Sequence, residues 1–281
     1  MVPASAAAIE DKSHGRVSRA MKALRDLGPR GVIRLLREHG VSKATAFVTR
    51  NIRYSIADGL ARRWDRKHGV DTAGSVQLKS LTIIGPNGDA GNECLCTSPK
   101  TFDFMMSALP LSVDDYTFID IGSGKSRTLL LASRYNFHKI VGVEFARELV
   151  NISQDNLLKF KASWQRTKKL EVVHADAAQY ILPDGPLVIF LYNPFSKEVF
   201  EAVLQNTLTS LAQNYRDCYI IFSSSSANAI EWARPTILRS AHFDEVETKD
   251  VPLFLDAIRT VRWGAFKVKP QEKLPKANKL S

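Results

Sequence analysis

Cysteine is scarce in this chain. The 281 residues hold three, Cys94, Cys96 and Cys218, too few for a disulfide framework, and Cys94-x-Cys96 has no second half to complete a metal site. The thiols are read as reduced and the chain as cytoplasmic. Long apolar runs are missing too: the longest, Leu187 to Tyr192, has the length of a strand and not of a membrane span. The start, MVPASAAAIEDK, lacks the charged beginning and apolar stretch of a signal peptide. In the N-terminal segment, residues 1–70, aromatic residues are too sparse for a base-stacking platform, and nothing there matches a nucleic-acid module. Internal repeats, low-complexity segments and clusters of metal ligands are absent, so no metal is expected. The composition is that of a globular protein with one large domain, or one domain and an appendage.

Charge is present in excess and unevenly placed. The net charge is +10, and residues 1–70 hold 15 Lys and Arg against 6 acids, a difference of 15 − 6 = +9. Val32, Leu35 and Leu36 make a short apolar stripe. From Val41 to Arg66, Ala46, Phe47, Ile52, Ile56, Leu60 and Trp64 recur among basic residues in an amphipathic helical pattern. Residues 1–70 are therefore read as a basic helical segment. It is either a lid with a solvated face or a contact for an acidic partner: nucleic acid, an anionic membrane surface or an acidic protein. It is expected to be dispensable for binding a cofactor. Gly69-Val70-Asp71-Thr72-Ala73-Gly74 is turn chemistry and sets the boundary to a domain over 71–270, followed by a basic tail, 271–281, expected to be disordered.

That domain is organised around Tyr116 to Ala146. Tyr116-Thr117-Phe118-Ile119 suits a buried strand, which ends on Asp120 and turns through Gly122-Ser123-Gly124. Leu129 to Ala132 has helical apolar spacing, and Lys139 to Glu144 is a second strand. Gly122 and Gly124 let the backbone turn with positive φ and approach a ligand closely. The helix that follows aims its N–H groups and dipole at the same crevice. Glu144 lies 144 − 122 = 22 residues after Gly122, close to the spacing of about twenty for an acid that accepts ribose hydroxyls.

Four readings of this turn compete. Gly124-Lys125-Ser126 ends like a P-loop, but the glycine that motif needs five residues earlier is Ile119. A dinucleotide site wants a third small residue where Arg127 stands. S-adenosylmethionine (SAM), which has no pyrophosphate, needs only the short Gly-x-Gly turn, and this reading is favoured. A glycine turn with no ligand is the bland alternative.

The α/β alternation continues. Gln77 to Ile84 reads as a strand, and Thr97-Ser98 can cap a helix from Pro99 to Leu109 with Phe102, Met105, Met106 and Leu109 inward. A helix over about 147–161 leads to a strand from Leu170 that ends on Asp176. Leu187 to Tyr192 is the fourth strand, ending on Asn193-Pro194-Phe195. A helix near 197–214 and a fifth strand, Cys218 to Phe222, follow, and Phe243 to Asp250 and Thr260 to Lys269 close the sheet as antiparallel strands. The expected fold class is α/β: a Rossmann-like, seven-stranded, mostly parallel sheet with helices on both faces. Its ligands bind at the strand carboxyl ends.

On these motifs, residues 97–269 resemble the class I SAM-dependent methyltransferases. Asp120-x-Gly122-x-Gly124 resembles the motif that wraps the methionine end of SAM, and Glu144 the acid that holds the ribose. Asp176-Ala177 resembles the pair whose carboxylate contacts the adenine amine. Asn193-Pro194-Phe195 stands where a motif faces the methyl group. More narrowly, the chain resembles a largely uncharacterised bacterial group with Gly-Val-Asp-Thr ahead of Asp-x-Gly-Ser-Gly-Lys-Gly-Arg. Here Ser126 replaces a glycine, and Cys94-Leu95-Cys96-Thr97 stands where that group has Tyr-x-Pro-Thr. The resemblance implies SAM as cofactor and direct methyl transfer, and Asn193 points to a nitrogen acceptor on a protein or small molecule. The alternatives are a nucleic-acid methyltransferase served by the basic N-terminal helices, and a SAM-binding protein that transfers nothing.

Overall fold

The computed structural model describes residues 49, 53, 55–74, 76, 82, 96–107, 109, 112–192, 195–224, 227–252 and 261–274. Helix α1 covers 55–68, and α2 is Pro99–Ser107. The strands are β1 (Thr117–Ile121), β2 (Lys139–Glu144), β3 (Leu170–His174), β4 (Leu187–Tyr192), β5 (Cys218–Ser224), β6 (Phe243–Asp250) and β7 (Arg262–Val268). Between them run α3 (Arg127–Ala132), α4 (Arg147–Lys159), α5 (Lys197–Gln213) and α6 (Ala227–Arg239). A 3₁₀ turn, Gln271–Lys273, follows β7.

The strands form a single sheet in the order β3-β2-β1-β4-β5-β7-β6. β1 to β5 are parallel, while β7 runs antiparallel to both β5 and β6. This is the expected Rossmann-like, seven-stranded, mostly parallel sheet. All five residues of β1 are buried, as a central parallel strand covered on both faces requires. Its pleat sends Ile119 and Ile121 into the cluster under α5 and α6, and Phe118 into the opposite cluster with Phe102 and Phe190. The inward residues foreseen on α2, Phe102, Met105, Met106 and Leu109, are buried.

Several expectations shift. No helix was expected after β5, yet α6 is present with Pro235 inside it. Proline reads as a helix breaker, but Ile230, Ala233 and Ile237 are buried on one helical face and outweigh it. The tail expected to be disordered from 271 begins with the 3₁₀ turn, and Leu274 packs against the core. Of the strand expected over 77–84 only Thr82 is described, and the residues expected at the start of the chain, with Cys94, Asn193 and Pro194, lie outside the described residues. No helix among the described residues is long and apolar enough to cross a membrane.

Candidate functional site

The turn after β1 is tied to β2 by its own backbone. Gly122 and Gly124 have φ of 78° and 54°, and the N–H groups of Gly122 and Ser123 both donate to the Val143 carbonyl at 2.9 and 3.1 Å. The approach is close enough that a Cβ on Gly142 would lie 2.6 Å from Ser123 Oγ. Gly142 is thus a third glycine the turn requires, contributed by the neighbouring strand.

Three acids stand at the carboxyl ends of β1, β2 and β3. Asp120 is buried, and its carboxyl is pushed up to about 8 by burial and then by the nearby Glu144 charge, against a lowering hydrogen bond from Thr128. Glu144 is buried as well and pushed up to about 7 by burial, which outweighs its hydrogen bonds. Its Oε2 accepts the Gly124 N–H at 2.8 Å, and its Oε1 accepts those of Phe145 and Ala146 at 3.0 and 2.9 Å. Asp176 is half-buried and accepts the Ala178 N–H at 2.9 Å. Asp176, Ala177, Gly122 and Phe195 line one small cavity of about 20 Å³. Of the residues singled out in the sequence, Gly122, Asp176, Ala177 and Phe195 therefore share a cavity wall, while Glu144, which holds the Gly124 N–H, and Asp120 are buried and do not line it.

Ser126, at the start of α3, makes no cap for that helix. It sits in the left-handed region at φ 67° with no side-chain cap bond, and its Oγ has no hydrogen-bond partner. Nor does α3 supply much of a dipole, being six residues long.

Sequence reasoning missed how the turn is held from outside. Arg127, read only as a misfit, is 3% exposed. Its guanidinium donates to Asp65 Oδ1 at 2.8 Å and to Thr72 Oγ1, and it lies 4.1 Å from the centre of the Trp64 ring. Asp65 also accepts the N–H groups of Thr72 and Ala73. Lys125, buried, donates to Asp71 Oδ1 at 3.0 Å and the Ala73 carbonyl at 2.9 Å. On the α4 side, Ser153 donates to the Gly124 carbonyl and Asn156 to those of Lys125 and Asp71. The signal was in the sequence as the pairing of Gly69-Val70-Asp71-Thr72 with Lys125 and Arg127. These bonds cross the boundary placed after residue 70.

Both ammonium and guanidinium of the turn are consequently engaged by acids and carbonyls. Among the described residues no group of His, Cys, Asp and Glu could hold a metal ion. Cys218 is buried and its thiol pushed up to about 12, mainly by that burial.

No protein-family model and no curated protein matches the chain. Among solved structures, it is similar to precorrin-6y C5,15-methyltransferase from Geobacter metallireducens, with a TM-score of 0.48 and 17% identity over 68% of this chain and 94% of that one. It is also similar to the 23S rRNA methyltransferase ErmE, with a TM-score of 0.49 and 14% identity over 65% and 72% of the two chains. A third is the glycopeptide N-methyltransferase MtfA complexed with S-adenosyl-L-homocysteine, with a TM-score of 0.48 and 9% identity over 62% and 90%. Likeness at this level bears on neither the site nor the acceptor.

Proposed function

We propose that this chain is a SAM-dependent methyltransferase, with the cofactor at the carboxyl ends of β1, β2 and β3. The observation that carries the reading is the charge left at the turn. Lys125 and Arg127 are engaged by Asp71, Asp65 and Thr72, so neither is free to neutralise a phosphate. The crevice is lined by glycine backbone and Asp176, and two further acids, Asp120 and Glu144, are buried at the turn. That set suits a ligand without phosphates that carries a positive sulfonium, and disfavours ATP, GTP and NAD.

SAM, when bound, supplies an electrophilic methyl group on that sulfonium. The chain's own residues bind, orient and exclude water. Gly122 and Gly124 admit the ligand to the backbone. Glu144 accepts the ribose hydroxyls in exchange for the Gly124 N–H it now holds, Asp176 takes the adenine amine, and the Ala177 backbone lies beside it. Asp120 braces the turn through Thr128. A volume of about 20 Å³ holds roughly one water, so binding widens this cavity. Asn193, which follows β4 in the sequence, is the residue we assign to the acceptor, because a side-chain amide oxygen suits a hydrogen bond from an amine.

Calorimetry with SAM, S-adenosyl-L-homocysteine, NAD and ATP tests the reading. Binding of the first two and not the last two is expected; tight NAD binding with none of SAM would overturn it.

A further inference from the structure

The chain has a second concentration of positive charge besides its first seventy residues. Residues 159–169 hold five Lys and Arg and no acid. Their side chains, unlike those of Lys125 and Arg127, serve no buried role: Lys161, Arg166, Lys168 and Lys169 are exposed. The ring contacts bring this loop against α1. Trp64 stacks on Phe160 at 6.0 Å, and His68 meets Phe160 and Trp164 at 5.6 and 5.9 Å. Arg63 and Lys67, on the exposed side of the same α1 turns, therefore stand beside the loop. None of these six cations pairs with an acid among the described residues.

A solvated charge run would be expected to ride on loose backbone, and this one does not. The N–H groups of Arg166 and Thr167 both donate to the Ser133 carbonyl at 2.8 and 3.1 Å. Thr167 Oγ1 bonds the carbonyls of Tyr135 and Phe137 at 2.9 and 2.8 Å, and the Lys169 carbonyl accepts from Ile140. Arg166 and Lys168 are thus held apart on either side of a buried threonine, in the loop that leads into the edge strand β3. Like charges fixed side by side repel one another, and a polyanion removes that cost on docking while little backbone entropy is lost.

We propose that Arg63, Lys67, Lys161, Arg166, Lys168 and Lys169 form a docking surface for the phosphate backbone of a nucleic acid. The proposal stands whether or not the chain transfers a methyl group. Charge of this density without base-stacking rings matches sequence-independent phosphate contact. The tryptophans here are turned into their own cluster and, with Arg127 and Arg134 over them, are not a platform for bases. A membrane-surface helix needs a continuous apolar face beside its cations. Within 161–169 no large apolar side chain is exposed; Leu158, Ile56 and Leu60, at 81%, 51% and 56%, are exposed at the margins but are divided between two helices and make no continuous apolar face.

The test uses the full chain, a labelled single-stranded RNA of mixed sequence, and anisotropy at several salt concentrations. Binding should weaken linearly in log salt. Lys161→Glu/Arg166→Glu/Lys168→Glu should lose tenfold or more in affinity and about 2 in the log–log slope, since each phosphate contact on a single strand contributes roughly 0.7. Arg63→Gln/Lys67→Gln, which leaves the loop untouched, should lose affinity in the same direction, and it carries the test if the triple variant melts early. RNA affinity and slope unchanged in both variants would overturn the proposal. So would a native chain that ignores RNA but binds phosphatidylserine vesicles or an acidic peptide.

Discussion

Ser126 is the residue where this turn carries its own strain. A side chain at φ 67° costs about 1–2 kcal/mol relative to glycine, and the Ser126 hydroxyl recovers none of it through a hydrogen bond. Glycine's greater freedom in the unfolded chain offsets part of the gain. Ser126→Gly should therefore raise stability by about 0.5–1 kcal/mol, read as a higher urea midpoint at unchanged slope; a lower midpoint would mean the serine holds something in the folded protein. Glu144 is a different case, because its two oxygens accept three backbone N–H groups. Glu144→Ala should weaken SAM binding tenfold or more, as the loss of charge-assisted bonds worth about 1.5–3 kcal/mol implies. It should also lower the melting temperature. An affinity unchanged in the folded variant removes Glu144 from the ribose role. Asn193→Ala should leave SAM affinity within a few-fold and lower the single-turnover rate strongly, the signature of an interaction made in the transition state. Collapse of affinity at a normal saturated rate would make Asn193 a cofactor ligand instead.

Among the elements, α1 is the one whose role changes most between sequence and structure. That it is a helix was legible, and so was the turn at Gly69 to Thr72, but of the apolar residues read from the sequence Ile56 and Leu60 are exposed and Trp64 packs against Phe160. What could not be read was that Asp65 reaches Arg127, 62 residues further along the sequence, because a long-range ion pair leaves no local periodicity. Strands with continuous apolar runs, such as Leu187 to Tyr192, were legible for the opposite reason: burial on both faces writes itself into consecutive residues. α6 was hidden by Pro235. The consequence for α1 is that it cannot be removed without cost. Asp65→Ala leaves a buried guanidinium unpaired and should destabilise the protein by about 3–5 kcal/mol. Asp65→Leu with Arg127→Met removes both charges and should recover most of that loss, since buried ion pairs seldom outperform apolar packing. A double variant no more stable than Asp65→Ala would show that the Arg127 contacts with the Trp64 ring and with the Ala61 carbonyl, to which it donates at 3.2 Å, matter more than the charge. For the same reason, a chain beginning at residue 71 should melt well below one beginning at residue 55, which retains Asp65.

Across the whole molecule, the strand order sets buried carboxyls side by side, and this gives stability a pH dependence of definite sign. β1 and β2 are paired in register from Thr117↔Lys139 to Ile121↔Val143, so Asp120 and Glu144 come to lie at one end of the sheet's centre with little water between them. Burial, then mutual repulsion, pushes Asp120 up to about 8, and burial pushes Glu144 up to about 7. In the unfolded chain both would titrate near 4. Between those values the folded protein holds protons that the unfolded chain has released, so stability falls as pH rises. This contribution is full below about pH 4 and is lost by the time the pair has ionised above pH 8. The two groups titrate as a pair, and one retained proton relieves both. The native chain should accordingly melt at higher temperature at pH 6 than at pH 8.5. A change of 1 kcal/mol moves a domain of this size by about 2–4 °C, which is readily measured. Asp120→Asn keeps a polar side chain for Thr128, removes one of the two like charges and should flatten the dependence. A melting temperature that instead rises from pH 6 to pH 8.5, equally in both chains, would mean that Asp120 is ionised throughout and stabilised by something other than its proton.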